Sequence, residues 1–251
     1  MGIKVKVSRI VILFVITTLS CFFTFTANVS QAASPPEDVD LGLATDDQHG
    51  GGGVVGEVIR ILNGNNIQSR EDLTFSSPNR LGLAFKATYN SRSNIAGSLG
   101  YGWTNTYESS LDPSFEIEGV IYIKIIDSTE RATYFLEDTP GLYKGAFKEL
   151  THVKAEEGDY VWYRLNGSRL CFSSSGLLTW IEDEKGNRLE LAYSDNKLQT
   201  VTDTASGRIL TFHYNADGRL ESISGPVTDA VTSGTWGTYG YDANQNRKSV
   251  V

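Results

Sequence analysis

The 251-residue sequence carries three histidines, His49, His152 and His213, and two cysteines, Cys21 and Cys171. Nucleophilic catalysis needs a serine or cysteine within hydrogen-bond reach of a base. Dispersed histidines and the lack of a Gly-x-Ser-x-Gly elbow offer no such pairing. His49-Gly50-Gly51-Gly52-Gly53 imitates an oxyanion loop, but without the elbow it reads as flexible linker. His213 falls on the strand face opposite Tyr214 and reads as a surface or interface histidine. Zinc would require clustered His and Cys, and these are scattered. No catalytic, metal or cofactor residue is therefore expected.

Two acidic groups could be offered as paired carboxylates for sugar cleavage, Glu182-Asp183-Glu184 and Glu156-Glu157 with Asp159. Both fall in predicted turns, where a solvated face is the plainer reading. Gly100-Tyr101-Gly102-Trp103, with Trp162, Trp180 and Trp236, could form an aromatic platform for sugar rings. Large apolar rings more often end up buried, so core packing is the competing reading. Asn166-Gly167-Ser168 matches a glycosylation sequon but sits where a repeat turn is expected.

The elements that would position these residues begin with a leader. Lys4, Lys6 and Arg9 precede a run without charge from Ile10 to Ala33, which ends in Ser30-Gln31-Ala32-Ala33 ahead of Pro35-Pro36. Basic, apolar and small-residue regions in that order describe a secretory signal peptide over residues 1–32, cleaved between Ala32 and Ala33. The apolar run nears the lower limit of a spanning helix, so an uncleaved anchor is the alternative. Thr18-Leu19-Ser20-Cys21 is a poor match to a lipidation site. The formal charge is −8, and loss of the leader's three bases leaves −11. An acidic surface disfavours nucleic acid and anionic membranes, leaving membrane contact only through an uncleaved leader. Cys171 alone remains beyond the leader and cannot form an internal disulfide.

Residues 33–53 read as an acidic, glycine-rich linker. Beyond it, short alternating runs such as Val58-Ile59-Arg60-Ile61, Leu83 to Ala87, Val120 to Ile123 and Tyr160 to Tyr163 are separated by turn formers. Asn63-Gly64, Asp112-Pro113, Asn166-Gly167, Lys185-Gly186-Asn187 and Asp217-Gly218 are examples of those turns. That pattern predicts an all-β chain of antiparallel hairpins.

A repeat organises its second half. A shift of 21 residues carries Leu170 to Leu191 to Phe212, and Phe172 to Tyr193 to Tyr214. Each pair shares one parity and hence one strand face. A turn follows each aromatic residue, then a second apolar run: Leu178 to Ile181, Leu198 to Val201, Leu220 to Ile223. Leu and Ile/Val three apart would face opposite ways on a regular strand, so a bulge or strand end is expected there. A degenerate copy at Tyr239-Gly240-Tyr241 follows after an insertion, with Val251 barely beyond it. No polar capping unit is visible, which suggests a fragment, a truncated gene or an edge awaiting a partner.

Tyr214-Asn215-Ala216-Asp217-Gly218-Arg219-Leu220 and Tyr241 to Arg247 resemble the YD repeats of Rhs proteins, teneurins and insecticidal toxin-complex shells. The last copy has Gln245 where glycine is usual. Upstream, Asn63-Gly64-Asn65, Glu71-Asp72-Leu73, Tyr89-Asn90-Ser91-Arg92-Ser93 and Leu99-Gly100-Tyr101-Gly102-Trp103-Thr104 with Tyr107 are similar to the domain that opens many Rhs cores. The resemblance implies an opening β-domain at 54–125 and YD-type hairpins at 126–251, spiralling into part of a β-shell. It further implies a bacterial protein, secreted or exposed on the cell envelope, without catalysis of its own. Such a shell contacts or encloses a protein partner, further repeats or a toxin cargo, with a glycan as the alternative ligand. Family shells end in an Asp-Pro self-cleavage segment. Here Asp112-Pro113 lies in the opening region without the Gly-Leu that follows in the family, so release of cargo does not carry over.

Overall fold

A computed structural model describes residues 54–55, 59–60, 65–75, 81–226, 234–244 and 246–250. The leader, Ala32, Ala33, the acidic linker, His49 and the Asn63-Gly64 turn lie outside these residues. Among the described residues the regular elements are all strands.

The opening part holds two two-stranded ladders and one small sheet. β1 (Val54–Val55) pairs with β2 (Ile59–Arg60). β3 (Ile67–Phe75) and β4 (Leu83–Asn90) form a hairpin with a bulge at Asp72. A short ladder of β5 (Ala96–Gly97) and β6 (Gly100–Tyr101) leads into β7 (Trp103–Asn105), which returns to pair with β4.

From Ser110 a single antiparallel meander takes over. Its first half is β8 (Ser110–Ile117), β9 (Val120–Ile126), β10 (Ala132–Thr139), β11 (Leu142–Gly145), β12 (His152–Glu156), β13 (Asp159–Tyr163) and β14 (Arg169–Phe172). Its second half is β15 (Leu178–Glu182), β16 (Arg188–Ser194), β17 (Lys197–Asp203), β18 (Ile209–Tyr214), β19 (Leu220–Ser224), β20 (Thr235–Tyr241) and β21 (Arg247–Val250). All 14 strands pair only with sequence neighbours. This sheet crosses the 125/126 division drawn from the sequence, and the described residues belong to one compact unit.

The repeated residues fall in equivalent places. Leu170, Leu191 and Phe212 are buried in one hydrophobic cluster, Phe172 is fully buried, and Tyr193, Tyr214 and Tyr241 pack against that cluster. The bulge expected in each second strand is present. Cys171 pairs with Trp180 but Phe172 with Leu178, which leaves Thr179 extra. The same slip leaves out Gln199, Glu221 and Lys248 in the later hairpins. One added residue returns the first Leu to the inner face, so Leu198 and Val201, and Leu220 and Ile223, are buried together.

Five-residue turns close many of the hairpins. In 183–187, 215–219 and 242–246 the first residue's amide donates to the carbonyl of the fifth. The first residue's side-chain oxygen, on Asp183, Asn215 or Asp242, accepts the amides of the third and fifth. That arrangement explains why Asn or Asp opens the turn and glycine follows three later, since Gly186 and Gly218 have φ of 84° and 78°. Gln245 lies outside the described residues.

Two expectations are corrected. Asp112-Pro113 is not a turn but a bulge inside β8, where proline's missing N–H breaks no ladder bond. Glu182 is not solvated: it ends β15 with 4% exposure and receives Arg169 and Arg188, the latter through Nη2 at 2.8 Å and Nε at 3.1 Å. Asp183 and Glu184 do occupy the following turn.

The large sheet curls back on itself, because Leu111 N donates to Gly176 O at 3.0 Å, joining β8 to the β14–β15 turn. The small sheet lies against its inner face. Phe85 of β4 meets Phe212 at 5.9 Å and Tyr239 at 6.0 Å between ring centroids, and Phe75 of β3 stacks edge-on to Trp236 at 4.5 Å. Neither sheet could keep these faces dry alone, since each buried large side chain contributes about 1.5–3 kcal/mol.

Candidate functional site

The Tyr89-Asn90-Ser91 and Gly100-Tyr101-Gly102-Trp103 blocks meet as one structure. Tyr89 and Trp103 are cross-strand partners with rings 5.1 Å apart. Asn90 N donates to Gly102 O at 2.8 Å, and Gly102 N to Ile95 O at 3.0 Å. Gly102 has φ of 70°, and a Cβ there would lie 2.8 Å from Asn90 O, so glycine is required.

Two carboxylates brace this block and the loop beside it: Glu130, which is buried, and Glu108, which is half-buried. Glu130 is 2% exposed and accepts Asn90 Nδ2 at 2.8 Å and Ser93 Oγ at 2.7 Å. It sits in the 127–131 turn, at the position glycine holds in the repeat turns, with φ of 65°. Thr104 Oγ1 donates to Ser128 O in the same turn at 2.9 Å. Glu108 accepts Ser98 N at 2.9 Å and Asn105 N at 3.1 Å. Burial raises its carboxyl pKa, against hydrogen bonds from Ser98 and Asn105, and Glu130's charge adds to the rise.

The loop held by Glu108 is stitched to the third repeat. Leu220 N donates to Ser98 O at 2.9 Å, and Arg219 Nη1 donates to Gly97 O. Gly97 is needed because a Cβ would lie 2.7 Å from Trp103 O. Between this loop and the repeats lies a cavity of about 520 Å³, lined by Glu108, Glu130, Tyr193, Phe212, Tyr214 and Arg219 among others.

The repeat tyrosines have a defined polar role. Tyr214 Oη donates to Leu198 O at 2.9 Å, and Tyr241 Oη to Leu220 O at 2.6 Å. Each hydroxyl thus binds the first leucine of the preceding hairpin's bulged strand. Burial raises the phenols of Tyr193, Tyr214 and Tyr241, the last to about 12.

Residues 56–135 match the model of a domain of unknown function (DUF6531). The matched segment contains both sequence blocks, Glu108 and Glu130, and the chain up to Phe135 in β10. No curated protein matches the chain.

The remaining candidates stand apart. His152 stacks on Tyr163 at 4.8 Å, whereas His213 Nε2 lies 2.7 Å from Ser224 Oγ on other strands. Trp162 is buried with Nε1 donating to Thr151 Oγ1, and Trp236 Nε1 donates to Pro226 O. Trp180 carries the Arg188 guanidinium 4.1 Å above its ring. Asn166 folds its side chain onto Ser168 as a turn. The face of Trp103 is taken by Arg247, whose Cζ lies 3.2 Å from the ring centroid. The four aromatic sites do not form one platform. Glu130, which joins the small sheet to the large one, and Glu108, which holds the Ser98 loop to Asn105, were missed in the sequence. The one available signal was a glutamate standing where the turn pattern requires glycine.

Proposed function

We propose that this chain is a structural protein of Rhs type, secreted or exposed on a bacterial envelope, whose role is to begin and seal a β-sheet shell. The carrying observation is the serial lock between the later hairpins, in which the Tyr214 and Tyr241 hydroxyls each bind the leucine carbonyl of the unit before. Two things lend support: the DUF6531 match, and the stitching of its loop to Leu220 and Arg219. In this reading residues 1–32 are a leader, the mature chain starts at Ala33, and no catalysis occurs. The sheet's surfaces hold further tyrosine hairpins or a toxin cargo.

The test places a photo-crosslinking residue at exposed Lys248 on β21 in the producing cell and identifies the adduct by mass spectrometry. A polypeptide bearing further tyrosine hairpins, or a folded toxin, is the expected product. An adduct of neither kind, or hydrolytic turnover of envelope glycans by the purified chain, would overturn the reading.

A further inference from the structure

A cleft of about 420 Å³ is lined by the Tyr89–Trp103 pair and shares no lining residue with the cavity between the sheets. Its size falls in the range of about 300–1,000 Å³ usual for small-ligand pockets. Arg247 lines it, with its guanidinium plane fixed against Trp103. Stacking of this kind satisfies the face of the guanidinium but leaves its in-plane N–H donors to find acceptors elsewhere. Arg247 makes no ion pair among the described residues, and its Nη1 is enclosed without an acceptor. Asp72, whose charge acts on Arg247 without a direct bond, is committed to Arg70 and to Tyr239 Oη. No acidic side chain lines the cleft among the described residues.

In a chain of formal charge −8, an unpaired guanidinium in an acid-free cleft is a local exception. The cleft also holds Tyr101, 54% exposed, and the exposed amides of Gln68 and of Asn246, whose Nδ2 donates to Asp242 Oδ2 at 3.2 Å and leaves its carbonyl oxygen to face a ligand. We propose that this cleft binds an acidic saccharide, with a uronate carboxylate on Arg247, the sugar face on Tyr101 and ring hydroxyls on the two amides. The planar fork of arginine suits a carboxylate, and a tyrosine face suits the C–H side of a pyranose. The site is independent of the shell-building role and would stand or fall separately.

Isothermal titration of the purified chain with tri-galacturonate tests the site, with maltotriose and a short peptide ending in a free carboxylate run in parallel. Tri-galacturonate should bind and maltotriose should not. The protein's net negative charge excludes bulk attraction as the cause. Arg247→Gln and Tyr101→Ala should each weaken binding by about tenfold or more, which corresponds to loss of one good contact. Arg247→Lys should recover only part of the loss, because it restores the charge without the fork. Tyr101 is mostly exposed, so its variant keeps the fold, and an unchanged far-ultraviolet circular dichroism spectrum verifies this. No binding of tri-galacturonate, equal binding of maltotriose or of the peptide, or indifference to Tyr101→Ala would each refute the proposal.

Discussion

Asn90 Nδ2 donates to Glu130 Oε2 at 2.8 Å, tying the small sheet to the first long turn of the large one across forty positions of sequence. Both groups are almost fully buried, and Ser93 completes the carboxylate's coordination. Substitution Asn90→Ala leaves a buried carboxylate short of a donor and should cost about 1–3 kcal/mol. Urea unfolding would measure it. A loss below a few tenths of a kcal/mol would show the clasp to be dispensable. Glu130→Gly should be milder than Glu130→Ala, because glycine removes the left-handed strain that alanine keeps.

Tyr214→Phe keeps the ring and removes the bond to Leu198 O, which should cost about 1 kcal/mol, whereas Tyr214→Ala also opens a cavity and should cost about 3–5 kcal/mol. In a chain of this size each kcal/mol corresponds to about 2–4 °C in melting temperature. Equal effects of the two substitutions would mean the hydroxyl contributes nothing.

Gly176 and Gly186 share φ of 84° but differ in surroundings. A Cβ at Gly186 meets nothing within 4 Å, while one at Gly176 would lie 1.9 Å from Leu111 O. Gly186→Ala should cost only the left-handed penalty of about 1–2 kcal/mol. Gly176→Ala must separate β8 from the β14–β15 turn and should cost about 3–5 kcal/mol. Thermal melts of the pair compare them directly, and similar losses would contradict the curled closure of the sheet.

Burial alone would raise the Glu182 carboxyl, but hydrogen bonds and charge from Arg188 and Arg169 outweigh it and hold the pKa below the usual carboxylate range. A depressed folded pKa gives stability that is present above the unfolded value and lost as pH falls through the folded one. At pH 7 Glu182→Gln should therefore lose about 1–3 kcal/mol, since the bonds removed are to charged groups. That gap to wild type should close as pH drops below the carboxylate range. A gap that stays constant to pH 2 would assign the loss to packing rather than charge.

Residues whose pattern repeats were legible in the sequence. Same-parity Leu170 and Phe172, the three-residue spacing of Leu220 and Ile223, and Asn215 ahead of Gly218 each state a local geometry that burial or a turn then enforces. Residues acting across the seam were not legible. Glu108 and Glu130 bind partners from other elements, with no periodicity to mark them, and Glu182 looked like the start of an acidic turn. Its burial depends on Arg169 and Arg188, which converge on it only once three strands pair. Asp112-Pro113 misled for a related reason, since proline at a bulge and proline in a turn read alike.

The 14 strands of the meander pair only with their neighbours in sequence, and the small sheet that lines the interior is encoded first. A polypeptide that emerged from the ribosome N-terminus first would present this inner sheet before the hairpins that dock on it. Order could then advance in the direction of synthesis, one hairpin at a time. The joining of Leu220 to Ser98 would act as the latch that registers the third hairpin's arrival.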